Sequence, residues 1–270
     1  MANTSENSNP NGAMSFWDHL DALRATLVHI TIVVVLATVV AFCLKDVLFG
    51  IVFAPKQADF VSYRLLEQIS LWVTNGEGGL EPTNNVQIIN TGLAQQFVFH
   101  FKVSFCAGIV VASPFIIYQL FAFIAPGLYQ NEQKYAIRVA TAGYVMFVGG
   151  LLLNYFLIFP LTYRFLSTYQ VSDEVVNMIS LESYIDTLVL LSLMMGIVFE
   201  IPVVSWILGK LGILKASIMR KFRRHAIVAV LVIAAIITPT TDIFTLLMVS
   251  LPMWLLYEAS IILVARTGKA

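Results

Sequence analysis

The chain has 270 residues, of which 59% are hydrophobic and 12% charged, and its mean hydropathy is +0.83. A soluble domain carries about twice that share of charge, so a water-soluble globular protein is excluded. The 16 basic and 16 acidic residues balance, and nothing in the charge points to a nucleic-acid partner.

Residues 1–14 are polar and lack Lys and Arg, which reads as a short disordered tail and not as a targeting peptide. Next, "SFWDHLDALRATL" (15–27) places Phe16, Leu20, Leu23 and Leu27 at spacings of three and four, the pattern of an amphipathic helix. Apolar segments follow at about 25–44, 97–125, 136–160, 185–209, 225–238 and 243–264. The long ones match the roughly 20 residues that cross a hydrocarbon core of about 30 Å. They show no alternation, so they read as helices. The expected fold class is therefore all-α, a polytopic integral membrane protein with six transmembrane helices. It forms a single membrane domain over 15–264, with a short tail at 265–270. The longest polar interruption, 45–95, holds the turn signals "NGEGG" and "EPTNN". Within it, "FVSYRLLEQISLWV" (60–73) reads as an amphipathic helix on the membrane surface.

Basic residues set the orientation. With the N-terminus inside, eleven Lys and Arg fall in cytoplasmic segments, against four or five outside. Both termini are thus expected in the cytoplasm. The last two helices are expected to be short. "AIVAVLVIAAII" (226–237) has only twelve apolar residues, and the sixth run is apolar for fifteen before Glu258. Helices this short thin the bilayer or have their ends enclosed by protein.

Cys43 and Cys106 both lie in apolar runs and read as small packing residues. The four histidines are scattered, and there is no HExxH, phosphate-cradling glycine loop or nucleophile–base set. The expectation is no catalytic residue, no metal and no cofactor.

The ionisable groups in apolar surroundings are the candidates for function. Glu200 lies near mid-depth of its segment, with Pro202 two residues on. A charge there costs on the order of 2–4 kcal/mol unless it faces protein or water. Pro202 removes a backbone donor and bends the helix, so carboxylate and bend together describe a concave polar lining. The alternative is a hydrogen-bonded glutamate that only locks helix packing. Asp242 follows "TPTT" (238–241) at the tip between the last two helices. It reads as an N-cap, which leaves room for a second role in docking. Between the second and third spans, "FIAPGLYQNEQKY" (123–135) turns at Pro126 and displays Glu132. That carboxylate either pairs with Lys134 or Arg138, or receives a guanidinium bidentately.

In sequence, the chain resembles the TatC family, the multispanning receptor subunits of the twin-arginine protein translocase. The matching stretches are "HLDALRATL" (19–27), "FAP" (53–55), "FVFHFKVSF" (97–105) and "SPFIIYQLFAFIAPGLYQNEQK" (113–134). They continue with "NYFLIFP" (154–160), "FEIP" (199–202), "ITPTTDIFT" (237–245) and "SLPMWLLYE" (250–258). The resemblance implies a receptor for twin-arginine signal peptides of folded cargo in the bacterial inner membrane, driven by the proton-motive force. It also implies single-span TatA- and TatB-type partners, membrane lipid and self-association. By position, Glu132 is implied as the main acidic contact for the arginine pair, with Phe123 beside it. Arg24, Leu27 and Asp21 fall in the N-terminal recognition region. Pro55 and Pro114 are implied as structural, beside Pro126 and Pro202, which read as structural from the turn and the bend; Glu200 is implied as the intramembrane polar site and Asp242, with Thr238, Thr241 and Thr245 around it, as partner docking. The chain departs from the family pattern at Ala22, where a glutamate is usual, and at Thr26 and Leu246. The rival reading from the residues alone is a proton- or ion-coupled secondary transporter using Glu200, though such folds show repeats and broken helix pairs that this chain lacks.

Overall fold

The computed structural model describes residues 16–73, 86–124, 136–172, 177–240 and 242–267. Over these residues the protein is mostly helical. Helix α1 (Phe16–Cys43) fuses the amphipathic stretch and the first apolar segment without interruption. Its outer side exposes Val28, Ile32, Leu36, Val39 and Val40, a face suited to lipid chains and not to water. Its other side packs along α4 (Gln95–Ile124). Gly108 of α4 permits the close approach, since a Cβ there would come within 2.8 Å of the Thr38 backbone nitrogen. Thr38 returns its hydroxyl to the Val34 carbonyl (2.8 Å), so no polar group is stranded at the contact.

Between these helices the chain builds a cap from α2 (Lys45–Phe53), a 3-10 turn (Ala54–Lys56) and α3 (Val61–Val73). Tyrosine hydroxyls bind it to the helices below. Tyr63 lies 3.0 Å from the Pro55 carbonyl and 3.1 Å from that of Pro160, Tyr184 donates to Val52 (2.9 Å), and Tyr155 donates to Ile51 (2.7 Å). Ser62 donates to the Phe156 carbonyl. A short parallel pair, β1 (Ile88–Ile89) with β2 (Ile179–Ser180), closes this end in the register Ile88 to Ile179.

Helix α5 (Ala136–Leu153) runs through a π-helical stretch (Asn154–Ile158) into α6 (Phe159–Thr168). The third apolar helix thus extends past residue 160. The fourth is α7 (Leu181–Val198) followed by α8 (Ile201–Lys210), with Phe199 and Glu200 at the junction. Last come α9 (Ala216–Lys221), α10 (Arg223–Ile237) and α11 (Ile243–Thr267). Helix α10 is short, at 15 residues. Helix α11 is not: it runs for 25 residues, past Glu258, whose carboxylate forms an ion pair with Arg223 at 2.6 Å.

Among the described residues, five helical stretches are long and apolar enough to cross a membrane: Leu20–Cys43, Gln95–Phe123, Ile137–Thr168, Leu181–Lys210 and Ile243–Thr267. The core lies where they meet. Leu191 and Met195 of α7 pack with Ala234 of α10 and Val249 and Met253 of α11, all essentially buried.

Candidate functional site

Glu200 occupies the α7–α8 junction. Its amide donates to the Ile197 carbonyl (3.0 Å) and its carbonyl accepts from Val204 (2.9 Å), so the backbone stays bonded through the junction. Pro202 is buried in the first turn of α8, where its missing N–H is tolerated. The carboxylate lies beside an apolar cluster of Ile117 and Phe121 from α4, Ala140 and Phe147 from α5, and Val203 and Ile207 from α8, meeting Ile117 and Phe121 at Gly143. Opposite it, Gly143 of α5 leaves the space that the carboxylate uses: a Cβ there would sit 3.0 Å from Glu200 Oε2 and 2.7 Å from Phe121 Cε2. Both carboxylate oxygens are buried without a hydrogen-bond partner among the described residues. The site therefore presents an acceptor pair inside an apolar wall, able to receive a donor or a proton.

The same wall leads along α4 to Phe123, which is half-buried. Glu132, Pro126 and Thr241 lie outside the described residues. Asp21, Arg24 and Leu27 are all exposed in the N-terminal part of α1, so that helix offers them to solvent or lipid. Pro55 is buried under Tyr63, whereas Pro114 is exposed on α4.

A second polar site is the tip between α10 and α11. Asp242 caps α11: its Oδ1 accepts the Thr245 N–H at 2.7 Å and its Oδ2 accepts the Thr245 hydroxyl at 2.8 Å. Burial pushes the Asp242 carboxyl up, but several hydrogen bonds, led by the Thr245 N–H, together outweigh it and hold the group below the usual aspartate range. Thr245 is fully buried and its hydroxyl is spent on the cap. Buried Thr238 donates back to Ala234 (3.0 Å). Of the four residues expected for docking, Asp242 is thus the one with accessible polar surface among the described three.

Sequence reasoning passed over Gly143, Gly150 and Asn154. Gly150 lies so close to α7 that a Cβ would come within 2.5 Å of the Met195 carbonyl oxygen. Asn154, fully buried, donates to Ser192 Oγ at 2.9 Å across α5 and α7. An asparagine and a pair of glycines inside one apolar run are the signals that mark such a helix contact. Among the described residues, no group of three or more His, Cys, Asp or Glu is placed to hold a metal ion.

This arrangement has close counterparts. The family model described as "Sec-independent protein translocase protein (TatC)" matches residues 18–252. The Sec-independent protein translocase protein TatC of Blattabacterium sp. subsp. Periplaneta americana is 31% identical over 94% of this chain and 96% of its own length. That of Deinococcus radiodurans is 32% identical over 92% of this chain and 84% of its own. A crystal structure of the twin arginine translocase receptor TatC superposes with a TM-score of 0.74 at 29% identity, covering 93% of this chain and 99% of that one. The same receptor in DDM gives 0.75. With a family model matched across most of its length and apolar helices that cross a membrane several times, the chain belongs to the TatC family of Sec-independent protein translocase proteins.

Proposed function

We propose that this protein is the signal-peptide receptor of a twin-arginine translocase in the bacterial inner membrane. The observation that carries the reading is the similarity, along 93% of the chain, to a solved twin arginine translocase receptor. In this reading six helices span the bilayer with both termini in the cytoplasm, α10 serving as the short fifth span, and the bundle is concave on the side of Glu200. Glu132 meets the arginine pair at the cytoplasmic rim, beside Phe123 and the Asp21, Arg24 and Leu27 surface of α1. The apolar part of the signal then lies along α4 towards Glu200, whose unpartnered carboxylate supports a role in receiving a partner or signal group. Asp242 at the α10–α11 tip offers the docking point for a single-span TatA- or TatB-type helix. The proton-motive force drives transport, and copies of the chain associate with one another.

A charge swap tests the receptor assignment. Glu132→Lys is expected to abolish capture of a twin-arginine signal peptide by the purified protein. Capture equal to that of the unaltered chain would overturn the assignment.

A further inference from the structure

A cavity of about 810 Å³ opens where α1 ends and α4 and α7 begin, on the side of the cap. Its volume falls in the roughly 300–1,000 Å³ range of sites that enclose a small ligand. Aromatic side chains form the wall, chiefly Phe49, Phe53, Phe97 and Phe99, and the polar groups that converge on it include Lys45 and Lys56. Gln57 and Gln96 add amide donors, Asn90 gives an amide hydrogen to the Gly92 carbonyl at 3.0 Å, and none of the described lining residues is acidic. Neither lysine has an ion-pair partner among the described residues. The contrast with Lys102 is direct, since that nearby base is held by Asp186 at 2.7 Å.

The floor is fixed in place. His100 stacks on Phe42 with ring centroids 3.9 Å apart and bonds to the Phe42 carbonyl at 3.1 Å, tying α1 to α4. Tyr184 holds α2 through Val52, which orients Phe49 and Phe53. One side of the cavity is open at the protein surface, where Phe97 is 69% exposed at the start of an apolar helix long enough to cross a membrane. The first turns of α4 and α7 also face this end, where Gln95 of α4 donates to Glu182 of α7 at 3.1 Å, so the α7 N-terminus already has its own carboxylate. Two unpaired cations and several amide donors therefore lie at the depth where spanning helices end, above an aromatic surface that continues into the hydrocarbon. An anionic phospholipid has that same division, a phosphodiester and polar headgroup above acyl chains.

We propose that this cavity is a binding site for one anionic phospholipid, with its phosphate between Lys45 and Lys56 and an acyl chain along Phe49 and Phe97. The proposal does not depend on the signal-receptor reading or on which face of the membrane the cavity serves.

Native mass spectrometry of the full chain, released from detergent containing equal phosphatidylglycerol and phosphatidylcholine of matched acyl chains, tests it. One phosphatidylglycerol should be retained in preference to phosphatidylcholine. Juxtamembrane bases each contribute about 1 kcal/mol to anionic-lipid binding, so Lys45→Gln with Lys56→Gln should weaken retention by roughly 30-fold. The Lys45→Arg, Lys56→Arg pair should retain the lipid, and Lys215→Gln with Arg220→Gln, which line a different basic cleft, should leave it unchanged. Three outcomes would overturn the proposal: equal retention of both lipids, which indicates an apolar groove only; loss of the lipid to inorganic phosphate, which indicates a simple anion site; or unchanged retention in the double Gln variant. Both Gln variants should melt with the unaltered protein, since Lys45 is exposed and Lys56 partly so.

Discussion

Gly143 and Gly150 sit seven residues apart on α5, and the same substitution should have opposite consequences at the two positions. At Gly150 a Cβ would meet the Met195 carbonyl oxygen at 2.5 Å and its carbon at 2.9 Å, against an unstrained carbon contact of about 3.5 Å. Backbone cannot rotate away, so α5 and α7 must part by roughly 0.6–1 Å, a gap that forfeits a quarter to a half of each contact it opens. The same movement stretches the bond between Asn154 and Ser192, now 2.9 Å. Overpacking of this kind costs about 1–3 kcal/mol, and the better helix propensity of Ala returns about 1 kcal/mol. Gly150→Ala should therefore lose about 2 kcal/mol of stability, taking the upper end of the range because the obstacle is backbone. At Gly143 the obstacles are the ends of side chains, Phe121 Cε2 at 2.7 Å and Glu200 Oε2 at 3.0 Å. These rotate aside, and the propensity gain offsets most of the strain. Gly143→Ala should keep stability within about 1 kcal/mol of the unaltered chain while displacing the Glu200 carboxylate and lowering export. Unfolding by SDS titration in mixed micelles, read beside an export assay, separates the two. Equal stability losses for both variants, or a Gly150→Ala protein as stable as the original, would refute the packing argument.

Three further outcomes follow from the same geometry. Asp242→Ala removes the α11 cap and should cost about 0.5–2 kcal/mol in the same unfolding assay. Because the folded Asp242 carboxyl lies below its unfolded value, its contribution is fully present above the unfolded aspartate range. It is lost as pH falls through the folded value, so the difference between the unaltered chain and Asp242→Ala should shrink on acidification, and a difference that grows would contradict the assignment. Tyr63→Phe withdraws the hydroxyl that sits between Pro55 and Pro160 and should lower stability by about 1–2 kcal/mol, visible as faster proteolysis of the cap. Glu200→Gln should preserve assembly and weaken transport, with Glu200→Ala more harmful; full export by Glu200→Ala would reduce the residue to a packing detail.

Much of this fold can be read from residue order alone, because long apolar runs in a lipid solvent permit few alternatives to helices. The twelve-residue run at 226–237 announced a short α10, and Pro202 announced the α7–α8 junction, since a proline has no N–H to give the preceding turn. Asp242 as a cap was likewise legible from its place after "TPTT". Other features were not. The ion pair of Glu258 with Arg223, 35 residues away, is one, because a long-range contact leaves no local trace. The π-helical stretch at Asn154 and the two-residue strands at 88–89 and 179–180 are too short to carry a periodicity. The pocket for the Glu200 carboxylate is made by an absence, the missing side chain of Gly143, and only the packed helices reveal what that absence accommodates.

A receptor of the proposed kind must recognise the arginine pair of an export signal. The most direct test is co-purification of the detergent-solubilised protein with a folded precursor bearing an intact twin-arginine signal, beside the same precursor with twin lysines. A planar guanidinium pairs bidentately with a carboxylate and an ammonium does not, so the intact signal should be retained and the lysine version lost. Equal recovery of the two precursors would contradict the account.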